Sequence, residues 1–280
     1  MSTGTELVIL LVAVGAGVLG SMVGLGGGVF MVPIFSAFLG VPLKTAIAAS
    51  AISVVVNSLG GAAIYLRHRM VNLRLSLLLL ISTTLGAIAG GLLVLGAPVE
   101  VLRIIFAVTL YTMVALMVRQ GAAAEGAEGP EDSMGLRASY FDPARGVTVV
   151  YTPARVIPGM GFSTVAGLLS GLLGIGGGAV QVPLMNTVMR VPIKAAAATS
   201  VFMVGITVVA SALLYYSAGL VNPKVAAPAI LGVFLGSQIG SRVARRLRSK
   251  VLSRILIVIL LYLATTLLLQ SFGIRIPGAR

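Results

Sequence analysis

Gly24-Leu25-Gly26-Gly27-Gly28-Val29-Phe30-Met31-Val32-Pro33-Ile34 returns as Gly174-Ile175-Gly176-Gly177-Gly178-Ala179-Val180-Gln181-Val182-Pro183-Leu184, an offset of 150 residues (24 to 174). The offset holds without a gap through most of each half. Val41-Pro42 matches Val191-Pro192, Lys44 matches Lys194, Ser50 matches Ser200, Tyr65 matches Tyr215, and Val71-Asn72 matches Val221-Asn222. Both glycine clusters lie in strongly apolar sequence, where they interrupt helices. A duplication with helices broken at corresponding positions is the sequence pattern of a transporter whose binding site lies at the breaks.

Composition places the chain in lipid. Of 280 residues 58% are hydrophobic and 10% charged, with mean hydropathy +1.08, whereas a soluble domain carries about 25% charged residues. Apolar stretches of about 20 residues suffice to cross a hydrocarbon core. The opening segment lacks a basic start and runs into the first glycine motif, so it reads as part of the first repeat and not as a cleaved leader. The net charge of +13 is what arginines gathered in the loops of a polytopic protein produce, so no nucleic-acid partner is expected.

Spans are expected near 45–66, 75–95 and 101–118, and again near 195–216, 225–241 and 252–272. Each half opens with a composite element, 5–40 and 156–190, in which a helix meets the glycine cluster and then an apolar stretch of about 12 residues. At 1.5 Å per residue that stretch is too short to cross. The composite is either a broken spanning helix or a re-entrant hairpin with its tip at Gly24–Gly28 or Gly174–Gly178.

Charge separates the two. Arg67, Arg69 and Arg74 crowd the loop at 67–74, while its counterpart holds only Lys224. Conversely, Arg242, Arg245, Arg246, Arg248, Lys250 and Arg254 crowd 242–254, while its counterpart holds only Arg103. The basic residues switch loops between the repeats, as expected of halves inserted with opposite orientation. With three crossings and a hairpin per half, Lys44, Arg103, Lys224, Arg275 and Arg280 fall outside and the rest of the 20 Lys and Arg inside. Parallel halves would divide them evenly. The positive-inside rule selects the inverted arrangement. The expected fold is thus an all-α polytopic membrane protein of two inverted repeats, 1–118 and 156–280, with both termini outside. A cytoplasmic linker at 119–155 joins them. Its first part is Ala/Gly/Glu-rich, and the stretch from Arg137 to Pro153 has the composition of a short β-hairpin.

The chemistry is expected at the tips. Gly24, Gly26, Gly27 and Gly28, with Gly174, Gly176, Gly177 and Gly178, let the backbone turn sharply and approach a ligand closely. The short helices that follow present unpaired N–H groups and a positive dipole end, an anion site without a charged side chain. Pro33 and Pro183 lie near the start of those helices, where a missing N–H costs little. Ser50 and Ser200 in the next span, with Gln181 and Thr199 in the second half and Asn57 in the first, offer further donors. The serines and threonine can equally bond their own helix or a neighbour, whereas an amide beside a glycine tip is costly unless paired, which favours the site for Gln181. Lys44 and Lys194 read as interfacial snorkelling residues. Gly86/Gly90 and Gly236/Gly240 read as close-packing seams.

Other chemistry is excluded by what is missing. The chain has no cysteine, and its seven acidic residues are Glu6, Glu100 and five in the linker, so no carboxylate relay lies in a span. His68, the only histidine, sits between Arg67 and Arg69 in a loop. No metal site, cofactor or enzymatic nucleophile is expected.

The paired Gly-x-Gly-Gly-Gly-x-x-x-Val-Pro motifs, with the Val-Pro-x-Lys-x-Ala-x-Ala-x-Ser segments at 41–50 and 191–200, resemble the sulfite exporter TauE/SafE family, also called toluene sulfonate uptake permeases. The resemblance spans nearly the whole chain except the linker. It implies a multi-pass transporter of small sulfur-containing anions (sulfite, sulfonates, sulfoacetate) in a bacterial or archaeal plasma membrane, possible as a homodimer. The glycines of both clusters would carry the family's motif region. The direction of transport does not transfer, and an anion channel is the alternative reading.

Overall fold

The expected breaks are where the helices end. The computed structural model describes residues 3–119, 134–143, 145–244, 257–258, 260–262 and 264–269. Helix α1 (Thr3–Val23) stops at the first glycine cluster and a ten-residue α2 (Gly28–Ala37) follows; α3 (Leu43–Arg67), α4 (Leu73–Gly96) and α5 (Val99–Arg119) complete the first half. After a two-stranded hairpin, β1 (Ala138–Asp142) and β2 (Val147–Tyr151), the pattern repeats as α6 (Val156–Leu173), ten-residue α7 (Gly178–Thr187), α8 (Ile193–Ser217) and α9 (Pro223–Ala244). The last expected span, 252–272, is described in part, and its described residues, 257–258, 260–262 and 264–269, are helical.

Among the described residues five helices, α1, α3, α4, α6 and α8, are long and apolar enough to cross a membrane. Their outward faces carry apolar side chains. On α4, Leu73, Leu77, Ile81, Leu85, Ile88 and Leu92 recur at three- and four-residue spacing and are all exposed, a continuous stripe suited to acyl chains. At about 15 Å, α2 and α7 are too short to cross. Pro33 and Pro183 stand at the sixth position of these helices and not in the first turn, so each removes a donor that would have met the carbonyl of Val29 or Ala179.

Packing is reciprocal between the halves: α1 lies against α9 as α6 lies against α4, and α3 meets both α8 and α9 as α8 meets α4. Individual contacts exchange in the same way. Tyr65 Oη donates to the carbonyl of Ser21, and Tyr215 Oη to that of Gly171. Along α3 and α8 the order of contacts runs oppositely. Ser58 faces Gly205, Gly61 faces Val201, and the N–H of Asn72 beyond α3 reaches Thr199, so the two helices are antiparallel.

The glycine seams allow this closeness. A Cβ on Gly86 would sit within 3 Å of backbone at Thr164 and Leu168, and one on Gly236 would meet Val14 and Val18 in the same way. These are the equivalent atoms of the equivalent helix pairs.

The linker hairpin is docked, not merely connecting. Tyr140 and Tyr151, with Leu136, are buried against Tyr65, Met70, Leu75, Met189 and Val191. Asn72 ties it down: Nδ2 donates to the carbonyl of Leu136 at 2.9 Å while Oδ1 caps α4 by accepting from the N–H of Leu75. Burial pushes the Tyr151 hydroxyl up to about 12, partly offset by a hydrogen bond with Asn72. Asp142 at the end of β1 pairs with Lys194 at 2.7 Å.

Gly86→Ala is expected to lower the thermal midpoint of the detergent-purified protein by an amount corresponding to about 1–3 kcal/mol of overpacking. Gly15→Ala, where a Cβ meets nothing within 4 Å, is the control and is expected to be neutral or stabilising. Equal midpoints for the two variants would show that the seam is not close-packed.

Candidate functional site

Each tip is made by glycines held where other residues are strained. Gly24, Gly26 and Gly27 have φ of 84°, 77° and 82°, and Gly174, Gly176 and Gly177 have 63°, 83° and 67°. Gly27 and Gly177 are the N-caps of α2 and α7. The first bonds of those helices are Phe30 N–H to Gly27 O at 3.1 Å and Val180 N–H to Gly177 O at 3.0 Å. The amides of Gly28, Val29, Gly178 and Ala179 precede them and carry the positive end of each helix dipole.

The fold brings the two tips together. A Cβ on Gly28 would lie 2.6 Å from the carbonyl oxygen of Gly174 and 2.6 Å from Ser50 Oγ; one on Gly178 would collide with the carbonyl of Gly24. Ser50 and Ser200 clasp the junction. Ser50 Oγ donates to Gly174 O at 2.8 Å and Ser200 Oγ donates to Gly24 O at 2.9 Å. Their hydroxyl hydrogens therefore serve the opposite tip in this conformation. One turn on, Val54 and Val204 cover the junction. A Cβ on Gly26 would be 2.9 Å from Val54 Cγ1 and 3.1 Å from Val204 Cγ1.

Beside the second tip lies a small cavity. Thr83 of α4, Gln181 of α7 and Thr207 of α8 supply its polar side chains, Gly176 and Gly177 its backbone, and Ala166, Gly167, Met203 and Val204 its apolar wall. It has room for about one water molecule. Thr83 Oγ1 and Thr207 Oγ1 are 3.0 Å apart. Gln181, 2% exposed, donates through Nε2 to Ser163 Oγ at 2.9 Å, and its Oε1 has no partner. A second unpaired group is near: Ser170 Oγ is buried without a partner, and its Cβ lies 3.0 Å from where a Gly177 side chain would begin. Buried polar atoms left unpaired each cost of order 1–3 kcal/mol, so this is where a hydrogen-bonding guest would be stabilised.

The other expected donors are elsewhere. Thr199 Oγ1 accepts from the N–H of Asn72 at 3.1 Å and holds the loop before α4. Asn57 is fully buried with neither end of its amide partnered, and it does not line the cavity. Lys44 Nζ donates to the carbonyl of Leu95 at 3.1 Å, at the C-terminal end of α4, and Lys194 is held by Asp142. Thr83, Thr207 and Ser163 were not singled out by the sequence. The available signal was a mismatch between repeats, since their equivalents are Val233, Asn57 and Ala13.

Membrane-length apolar helices around paired interrupted helices define a multi-pass membrane protein, with the candidate site beside its helix breaks. The family model described as sulfite exporter TauE/SafE matches residues 9–267, and the chain belongs to that family of membrane transporters. It is 26% identical over 237 residues to the probable membrane transporter protein YunE of Bacillus subtilis (strain 168), covering 81% of this chain and 85% of that one. It is 27% identical over 217 residues to the probable membrane transporter protein MJ0441 of Methanocaldococcus jannaschii, covering 75% and 72%. No solved structure matches significantly.

Ser50→Ala and Ser200→Ala are each expected to cost about 1–3 kcal/mol, because each strands a buried carbonyl of the opposite tip. Thermal midpoints of the two variants should fall by similar amounts. A loss from one alone would show that the clasp is not reciprocal.

Proposed function

We propose that this chain is a secondary transporter of small sulfur-containing anions, such as sulfite, organosulfonates and sulfoacetate, working by alternating access around its two glycine tips in the plasma membrane. The observation that carries the reading is the meeting of two helix N-termini at Gly28 and Gly178 beside a cavity with an unpaired, buried Gln181 amide. Amides and a dipole end attract an anion without a counter-charge. Family membership narrows the anion towards sulfur oxyanions.

The cavity admits one water and is too small for a four-atom oxyanion. Loading therefore requires Val54, Val204 and Met203 to move off the tips, and the state described is a closed one. Alternating access supplies that movement. The inverted arrangement of the repeats is part of the same reading. The antiparallel course of α3 and α8 and the reciprocal helix pairs support it, as does the basic-residue switch between loops 67–74 and 217–224. In this arrangement α1–α2 and α6–α7 are re-entrant hairpins entering from opposite sides.

Topology has a clean test because the chain has no cysteine. In spheroplasts and inverted vesicles, His68→Cys and Ala218→Cys, both at exposed positions, should react with a membrane-impermeant maleimide from opposite sides. Reaction of both from one side would overturn the inverted arrangement.

Transport is tested in proteoliposomes. Saturable uptake of sulfite or methanesulfonate is expected, and Gly177→Leu should reduce it at least about tenfold, since a side chain there is strained at φ 67° and lies 2.9 Å from the carbonyl of Ala166. No flux of any sulfur oxyanion would sink the proposal, and non-saturating current would indicate a channel.

A further inference from the structure

The two halves share a backbone, yet their tips differ in polarity. Each polar group around the cavity at the second tip stands opposite an apolar or different residue at the first. Gln181 corresponds to Met31, Ser170 to Gly20, Ser163 to Ala13, Thr83 to Val233, and Thr207 to Asn57.

The backbone differs to match. At the first tip the amides of Gly24, Leu25 and Gly26 all converge on the carbonyl of Gly20, at 3.0, 2.8 and 3.3 Å. A Cβ on Gly20 would collide with the backbone of Gly26 and Gly27, so this tip sits directly on α1. At the second tip, among the described residues, only Gly174 N–H bonds the equivalent carbonyl, that of Ser170, at 2.9 Å. Ser170 has the side chain that Gly20 lacks. The cavity lies beside this tip, with Gly176 and Gly177 forming part of its wall.

We propose that the substrate site belongs to the second tip alone and selects a monoanion over a dianion. This rests on the oxyanion-transport reading above. The ligand's oxygens would meet the Thr83 and Thr207 hydroxyls, the Ser170 hydroxyl, the Gln181 amide and the free amides of Gly178 and Ala179.

The charge selection follows from what faces the cavity. No charged side chain of α4, α6, α7 or α8 lines it among the described residues. Arg74, Arg155 and Lys194 stand at helix ends; Tyr215 Oη is bound to the carbonyl of Gly171, and Tyr216 is exposed. Neutral dipoles have to replace all of the anion's hydration. The desolvation cost grows with the square of the charge, so a second negative charge raises it fourfold, while each fixed donor repays only in proportion to charge. Bisulfite and alkanesulfonates meet the condition; the sulfite, sulfate and sulfoacetate dianions do not, so the selection narrows the anions proposed above to the singly charged ones. A bisulfite hydroxyl also supplies a donor that an unpaired Gln181 Oε1 can accept.

The test is calorimetric titration of the purified full-length protein with methanesulfonate, total sulfite and sulfate across a pH series. Methanesulfonate affinity is expected to stay level with pH. Total sulfite affinity should fall as bisulfite deprotonates, and sulfate should bind at least about tenfold more weakly than methanesulfonate throughout. Sulfate binding as tightly as methanesulfonate, or sulfite tightening as pH rises, would overturn the charge selection.

Gln181→Met and Thr83→Val install the first tip's residues in the second. Each is expected to weaken methanesulfonate binding about tenfold with the unliganded thermal midpoint kept within a few degrees. Met31→Leu at the first tip should change affinity less than about twofold. If Gln181→Met does not fold, Thr83→Val and Thr207→Val carry the same comparison. Unchanged affinity in the second-tip variants, or an equal loss from Met31→Leu, would overturn the one-sided site. Absence of binding by all three anions to the unaltered protein is a separate result, and it would remove the transport reading and this inference with it.

Discussion

A broken helix in an apolar medium leaves main-chain groups that water cannot reach, and this protein answers each broken helix with the other. The carbonyl of Gly174 accepts from Ser50 of the first half, and the carbonyl of Gly24 accepts from Ser200 of the second. Inside a bilayer irregular backbone persists only where protein or a polar cavity satisfies it. Each tip thus has one of its carbonyls satisfied by a side chain of the opposite half. The glycine seams serve the same end. They let α6 lie on α4 and α1 on α9 closely enough for the tips to meet.

Much of this was legible in the sequence. The doubled Gly-x-Gly-Gly-Gly motif located both breaks, and the ten-residue α2 and α7 follow from its spacing to the next Val-Pro. The seams at Gly86/Gly90 and Gly236/Gly240 could be read as such because small residues four apart on a membrane helix have one common use. The hairpin between Ala138 and Tyr151 was suggested by β-branched and aromatic residues around Asp142-Pro143 and Gly146. Its tight docking was not, because Asn72, Leu136 and Tyr140 are far apart in sequence and carry no local signal of contact.

The site was legible only in part, for a physical reason. The search for residues shared by both repeats finds what holds the tips together: Ser50 and Ser200 are shared and they clasp. The polar residues that line the cavity are ones in which the repeats differ, and a search for matches discards such positions. Gln181 was found because an amide beside a glycine tip is costly when unpaired. Thr83 and Thr207 were missed because a threonine in a membrane helix ordinarily bonds its own backbone, as Thr83 also does to Leu79 and Leu80. Thr199 illustrates the converse error: it is polar, buried and unmatched in the first half, yet it secures a loop.

Asn57 makes the cost of asymmetry visible at the first tip. It occupies the position of Thr207, is fully buried, and has neither a donor for its oxygen nor an acceptor for its nitrogen. A buried amide in that condition destabilises the conformation that holds it by several kcal/mol. It stands one turn from Val54, the side chain that covers both tips. On the alternating-access reading proposed above, moving Val54 off the junction changes the surroundings of the next turn of α3 first. An unpaired amide at that point favours any conformation in which polar partners reach it. On that reading the conformation described is held by the serine clasp and opposed by Asn57, a balance that lets a protein leave one conformation under the modest free energy of binding a small anion.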